Sequence, residues 1–354
     1  MKDTNHVSYT QHFTTRSELI IGNLWDDLPD NICAVEPYYG SGDLIKRQPE
    51  NKIKQWEYYD IDITNCKPEE KHLVIEQDTL LNPPNYNGKY VITNPPYLAK
   101  NKTINKTVFN KYQVDDLYKA SIKTIMDSEG GILVIPLNFI TDKRTQKLRT
   151  EFLEKYTIKT INIFNDPVFD NTNYQICSFS YREKDNSLTR MYLWENNKII
   201  FSDTIRIGKG ISALYTDTYN QLFNNKLHYK YSRIIKGKEY DNIIPITFNL
   251  VDSNKKGYSL SLQDDYSYSI HADYDTVYYG KNTDRTKASF SIDKQLNIDW
   301  EKLACDWNKE IKEYRKKTHN ICLTSFRDAS RKKLTFTETI HLIDKLINKP
   351  LEEL

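Results

Sequence analysis

Asn94-Pro95-Pro96-Tyr97 follows the apolar run Val91-Ile92-Thr93, and its residue types could do chemistry at a strand end. Neither proline can donate to a sheet ladder, so the strand must stop there. Pro96 also keeps Pro95 extended. The product is a stiff turn that leaves the Asn94 amide and the Pro95 carbonyl free to face a cleft, with the Tyr97 ring beside them. Such a turn could grip a planar heterocycle carrying an amino group. One amino hydrogen would go to the Asn94 side-chain oxygen and the other to the Pro95 carbonyl, with the ring stacked on Tyr97. The 6-amino group of adenine is a poor nucleophile because its lone pair is delocalised. Two acceptors out of the base plane favour a pyramidal nitrogen whose lone pair can meet an electrophilic methyl. A proline-terminated strand and surface turn would carry the same four residues with no such role.

The elements needed to position this turn come in series. Residues 16–28 show helical spacing at Leu19, Ile20, Leu24 and Leu28, with Thr14, Thr15 or Ser17 as a cap. Ile32 to Val35 reads as a buried strand that runs into Glu36-Pro37-Tyr38-Tyr39-Gly40-Ser41-Gly42 and then the start of a helix. Glycines there let backbone approach a ligand, as in nucleotide-binding turns. The absence of Lys-Ser/Thr after them excludes a phosphate-cradling loop, and the spacing fails the dinucleotide pattern. Gln55 to Asp62 is a second strand ending in acid. Asp60 stands eighteen residues after Gly42, an offset that suits the two hydroxyls of a ribose and equally suits a solvated strand end. Leu73 to Leu81 repeats the pattern with Asp78. Four strands, each with a polar group at its carboxyl end, predict a doubly wound α/β sheet with the site along that edge.

Beyond Tyr97, the stretch Ala99 to Tyr112 carries Lys100, Lys102, Lys106 and Lys111 and no acid, which suits phosphate contacts or a polar loop. A helix over Asp116 to Met126, a strand over Gly130 to Pro136 and a helix over Leu148 to Tyr156 follow. Ile158 to Phe164 and Gln175 to Tyr181 read as the last strands. Phe169, in the loop between them, is either a core plug or a second stacking surface.

The chain has 354 residues, enough for two domains. The break is placed between 183 and 184. Residues 1–183 carry 22 basic and 25 acidic side chains, against 28 and 23 in residues 184–354, so the second half is the one suited to a polyanion or to a solvated surface. Lys226 to Lys238 interleaves five basic residues, Lys230, Arg233 and Lys236 among them, with His228, Tyr229 and Tyr231. Lys309 to Lys333 holds a second cluster, with Arg315-Lys316-Lys317 and Arg331-Lys332-Lys333. Both suit phosphate and base contacts, or two solvated helices. Thr335 to Ile347 reads as a closing amphipathic helix. The five scattered cysteines form no Cys-x-x-Cys pair, which argues for a reducing cytoplasm and against structural zinc. No apolar run approaches the length of a membrane span.

Taken in order, these residues resemble the gamma-type adenine-specific DNA methyltransferase family over residues of about 10 to 182. His12-Phe13-Thr14-Thr15 resembles the N-terminal cofactor motif, Glu36 to Gly42 the methionine-binding turn, Asp60 the ribose acid and Asp78 the residue reading the cofactor's adenine. Asn94-Pro95-Pro96-Tyr97 resembles the catalytic tetrapeptide, and Phe169 stands where the family contacts a flipped base. Tyr38-Tyr39 departs from the smaller residues usual in the glycine turn. The resemblance implies a seven-stranded methyltransferase sheet followed by a mixed target-recognition domain. It also implies S-adenosyl-L-methionine as methyl donor, S-adenosyl-L-homocysteine as product and no metal. The implied partner is double-stranded DNA, met by a monomer in the cytoplasm of a bacterium or a viral host. The implied setting is a type II restriction–modification system, with a cognate endonuclease acting independently. Similar tetrapeptides occur in enzymes that methylate RNA adenine or a protein glutamine amide, and these are the rival readings. A DNA-binding module with a decayed catalytic domain is the non-enzymatic rival, and the intact Asn94 and Asp60 argue against it.

Overall fold

The computed structural model describes residues 14, 16–169, 174–251, 287–325 and 332–349; the expectations for His12, Phe13, Thr15 and Arg331 lie outside them. The chain divides into two compact units, one of residues 1–139 and 144–207, the other of residues 140–143 and 208–354.

The first unit is built on parallel strands β1 (Ile32–Glu36), β2 (Ile53–Asp60), β3 (Val74–Glu76), β4 (Tyr90–Thr93) and β5 (Gly130–Pro136). Then come β6 (Tyr156–Phe164), β7 (Ile176–Glu183), β8 (Thr189–Glu195) and β9 (Lys198–Ile205). The sheet order is β3-β2-β1-β4-β5-β7-β6-β8-β9, with β7 antiparallel to both its neighbours. The first seven strands of that order are the methyltransferase sheet. Every residue of β5 is buried, as expected of a central strand covered on both faces. Gly131 is needed there, because an added Cβ would lie 1.8 Å from the Val91 carbonyl oxygen on β4.

Two expectations change. Among the described residues β8 and β9 extend the expected seven strands at one edge, so residues 184–205 belong to the first unit, not the second. Met191 and Leu193 alternate inward on β8, the Thr189 hydroxyl donates to the Ile158 carbonyl at 2.7 Å, and Arg190 pairs with Asp27 at 2.6 Å. The helix expected after Gly42 does not form. Residues 40–51 are turns, and Asp43 takes hydrogen bonds from Ser41 and Lys46 instead of starting a helix.

The unit's helices are α1 (Ser17–Ile21), α2 (Thr107–Tyr112), α3 (Leu117–Thr124), the short α4 (Asn138–Thr141) that runs into the next unit, and α5 (Gln146–Lys155). Leu117 and Ala120 of α3 pack with Val108 and Phe109 of α2 and with Leu80, forming a small core under the turn that carries Asp78.

The second unit mixes helices with short ladders. It contains α6 (Thr216–Phe223), α7 (Trp300–Lys317) and α8 (Phe336–Ile347). Its strands pair two by two: β10 (Tyr231–Arg233) with β13 (Phe290–Ile292), β11 (Phe248–Asn249) with β12 (Lys287–Ala288), and β14 (Thr324–Ser325) with β15 (Lys332–Lys333). The predicted closing helix is α8, opened by a reciprocal cap in which Thr335 Oγ1 accepts from Glu338 N and Glu338 Oε2 accepts from Thr335 N. Asp344 of α8 is fully buried and accepts from the backbone N–H of His228 and Tyr229 and from the Tyr231 hydroxyl. This carboxylate ties the start of the basic stretch to the helix.

Candidate active site

Parallel strands bring the carboxyl ends of β1, β2, β3 and β4 to one edge, and with them Glu36, Asp60, Asp78 and Asn94. A cavity opens at that edge. Thr14, Glu36, Gly40, Asp60, Asp78, Asn94, Pro95 and Pro96 all line it.

Glu36 is buried. Its Oε1 accepts from the Thr93 hydroxyl at 2.6 Å and from Tyr38 N at 3.1 Å. Its Oε2 is buried with no hydrogen-bond partner among the described residues. Burial raises the Glu36 pKa well above the ordinary carboxylate range, although both hydrogen bonds pull it down, and the nearby Asp60 charge raises it further. A cationic ligand group would satisfy this carboxyl, whereas an anion would be repelled.

Asp60 serves the glycine turn directly. Its Oδ2 accepts from Gly40 N at 2.7 Å and its Oδ1 from Asp62 N at 2.9 Å. Burial raises its pKa and these backbone hydrogen bonds lower it. Each carboxylate oxygen has a second lone pair, so the group keeps acceptor capacity toward the cavity. Asp78 Oδ1 accepts from the N–H groups of Leu80 and Leu81, both at 3.0 Å.

The glycine turn explains its own composition. Gly42 has φ +71°, and an added Cβ would lie 2.5 Å from the Tyr39 hydroxyl oxygen. Tyr39 therefore fills the space that a side chain at 42 would need, and its hydroxyl donates to Glu70 Oε2 at 3.0 Å. Pro37 and Gly42, both expected to touch a cofactor, do not line the cavity. The Pro37 carbonyl accepts the Thr79 hydroxyl at 3.0 Å, so this pair shapes the wall from behind. Sequence reasoning missed Thr93, Ser41, Asp43, Leu44, Ile61, Thr79 and Leu80. Ile61 and Leu80 directly follow or closely follow the expected acids and supply apolar wall, a signal the sequence does contain.

Asn94 Nδ2 donates to Thr14 Oγ1 at 3.0 Å, and Asn94 Oδ1 lies 2.6 Å from the Tyr97 hydroxyl, which is also 2.7 Å from the Val134 carbonyl oxygen. The amide is thereby oriented from both ends. Tyr97 was expected to offer an open stacking face, yet it is only 4% exposed and does not line the cavity. Its ring meets Phe169 at 6.4 Å and Tyr118 at 6.3 Å between centroids. Phe169 is equally buried, which places it with Tyr97 in the packing behind the turn.

The lysines after Tyr97 divide into two groups. Lys106 donates to the carbonyls of Lys100 and Thr103, and Lys111 donates to the Leu81 carbonyl at 2.6 Å, so these two fasten the loop. Lys100 donates to Asn110 Oδ1 at 2.8 Å on the surface, and Lys102 is exposed. In the second unit Lys226, Lys230, Lys236 and Lys238 are exposed. Arg233 instead lies over the Phe336 ring at 4.1 Å. The second basic cluster divides: Lys309, Lys312, Lys316 and Lys317 are exposed, whereas Arg315 is buried and donates to Asn320 Oδ1 at 2.8 Å, and Lys332 is fully buried.

Sheet order and edge cavity together define an α/β methyltransferase fold. Residues 8–169 match the model of the Eco57I restriction-modification methylase family, which bears out over that stretch the resemblance carried by Glu36 to Gly42 and Asn94 to Tyr97. No curated protein matches the chain. Similar solved structures include a type I restriction-modification methyltransferase subunit from Streptococcus thermophilus, at 15% identity, covering 55% of this chain and 50% of that one with a TM-score of 0.37. The type IIG restriction endonuclease BpuSI is 12% identical over 66% of this chain and 37% of its own, TM-score 0.41. The M protein of the type I restriction enzyme EcoKI is 10% identical over 90% and 73%, TM-score 0.38. The chain spans about half the length of the solved structures that head this comparison. Among the described residues no helix is long and apolar enough to cross a membrane.

Proposed function

We propose that the chain transfers a methyl group from S-adenosyl-L-methionine to the 6-amino group of adenine in a short duplex DNA site. The observation that carries the cofactor assignment is the buried Glu36 Oε2, which has no described partner, on a residue that lines the cavity together with Asp60 and Asp78. A ligand bearing an ammonium and a sulfonium suits that acidic wall, and a nucleotide phosphate does not. Glu36 would hold the ammonium, Asp60 the ribose hydroxyls and Asp78 the adenine amino group, with Ile61 and Leu80 against the ring. When bound, the cofactor supplies an electrophilic methyl group.

Everything else falls to this chain's own residues. Asn94 Oδ1, which accepts from the Tyr97 hydroxyl, would also accept one amino hydrogen of the adenine. The Pro95 carbonyl takes the other hydrogen. The two acceptors favour the pyramidal nitrogen and stabilise the positive charge that grows on it, with no reorganisation at the moment of reaction. Thr14 holds the far end of the amide, so Asn94 presents its oxygen rather than its nitrogen. The target adenine must leave the helix to reach this turn. Exposed Lys102, Lys230 and Lys236 and the half-buried Lys100 would meet phosphates, while Arg233, packed over the Phe336 ring, orders the strand between Lys230 and Lys236.

The test is direct. Plasmid from cells expressing the chain is hydrolysed and its nucleosides measured by mass spectrometry, with long-read sequencing to locate the site. N6-methyladenine at a fixed sequence is expected. Methyl label confined to RNA or to protein would favour the rival enzymes.

A further inference from the structure

Ile104 is 99% exposed, and the next most exposed large hydrophobic side chain among the described residues, Leu73, reaches 52%. A single exposed isoleucine is ordinary. The setting of this one is not. It stands ten residues after Asn94, on the segment that leaves the carboxyl edge of the sheet, and no acid lies between Leu98 and Val114. Lys100, Lys102 and Lys106 flank it. The segment is also braced. Lys100 N donates to the Asp115 carbonyl at 2.8 Å, Leu98 N to Asp116 Oδ1 at 3.2 Å and Lys102 N to the Ala99 carbonyl at 2.8 Å. Lys106 Nζ closes the turn onto the carbonyls of Lys100 and Thr103, and Thr107 N donates to Asn105 Oδ1 at 3.0 Å. Both sides of Ile104 are therefore fastened while its own side chain touches solvent. A β-branched side chain is stiff at χ1, so little freedom remains to be lost on insertion.

We infer that Ile104 enters the base stack of the duplex as an apolar wedge and helps expel the target adenine toward Asn94. This rests on the DNA methyltransferase reading above. Isoleucine is among the side chains that unstack base steps, and lysines beside it would hold the displaced backbone. Ile104 is a positioning residue: it acts on the substrate's conformation, not on the reacting atoms.

The experiment uses the full chain and two duplexes carrying its site, one with the target adenine paired and one with it opposite an abasic position, where leaving the stack is easiest. Each is also made with 2-aminopurine at the target. Wild type should methylate both. Ile104→Ser should lower kcat on the paired duplex by about tenfold or more and suppress the fluorescence rise, yet stay within about threefold of wild type on the abasic duplex. Ile104→Leu should restore the paired reaction. Equal loss on both duplexes, or no loss on the paired one, would overturn the wedge. No methylation of either duplex by wild type would overturn the parent reading, a result distinct from any Ile104 outcome.

Discussion

The Thr93 hydroxyl donates to Glu36 Oε1 at 2.6 Å, joining the carboxyl ends of β4 and β1, and leaves Oε2 of the same carboxyl buried without a described partner. One oxygen of Glu36 thus serves the fold while the other is left without a hydrogen-bond partner among the described residues. That arrangement costs stability in the free protein, because a buried charge lacks full compensation.

Glu36→Gln should therefore separate stability from binding. A carboxyl whose pKa is raised by folding contributes stability below its ordinary value of 4.5 and loses it as pH rises through the folded value. Removing the charge should raise Tm at pH 8 by about 2–4 °C, which is about 1 kcal/mol for a unit of this size, and leave Tm near pH 4 almost unchanged. Affinity for S-adenosyl-L-methionine at pH 8 should fall by about tenfold or more, the scale of a hydrogen bond to a charged group. Thermal melts across pH and calorimetric titration read both; unchanged affinity would remove Glu36 from the cofactor site.

Asp60 should behave in the opposite way on stability. Its two oxygens accept Gly40 N and Asp62 N, so Asp60→Ala leaves two backbone donors without acceptors. We expect it to cost about 1–3 kcal/mol of stability and to weaken cofactor binding by about 1.5–3 kcal/mol. Asp60→Asn keeps one acceptor oxygen and should lie between. Urea denaturation and titration without DNA give both quantities, and a wild-type affinity in the alanine variant would place the ribose elsewhere.

Asp116 supplies a pH test of the loop that follows the Asn94-Pro95-Pro96-Tyr97 turn. Its Oδ1 accepts from Leu98 N at 3.2 Å, and burial, opposed by Lys119 and backbone donors, raises its pKa to about 6. The raised value means that its contribution to stability is present below the ordinary 3.8 and is lost as pH rises through about 6. Asp116→Asn retains an acceptor for Leu98 without the charge. It should gain on the order of 2 kcal/mol over wild type between pH 5 and pH 8, with the two curves meeting at low pH. Parallel stability curves across that range would contradict this assignment.

Much of the site was legible because each strand end combines an apolar run with one polar residue. Val91 to Thr93 before Asn94, and Ile32 to Val35 before Glu36, are periodic signals that survive in a single sequence. The companion contacts were not legible. Thr93 reads as one more strand residue, and only the pairing of β1 with β4 brings it to Glu36. β8 and β9 were assigned away from the sheet because their polar outward faces resemble the rest of the second half. Charge misled in the same way. Arg315 and Lys332 look like DNA contacts in sequence, but whether a cation faces solvent depends on partners such as Asn320 that tertiary structure supplies. Tyr97 reads as a stacking ring, and its burial follows from Phe169 and Tyr118, which no local pattern ties to it.

The central claim is that Asn94 presents its oxygen to the amino group of an adenine, and single-turnover methyl transfer by Asn94→Ala tests it most directly. Tritiated S-adenosyl-L-methionine and a duplex carrying the mapped site would be mixed with excess protein, with cofactor and DNA affinities measured in parallel. Because the acceptor acts where charge develops, its loss should lower the transfer rate by about 10²-fold or more while both affinities stay within about threefold of wild type. Transfer by the variant within about tenfold of wild type, at unchanged affinities, would contradict the account.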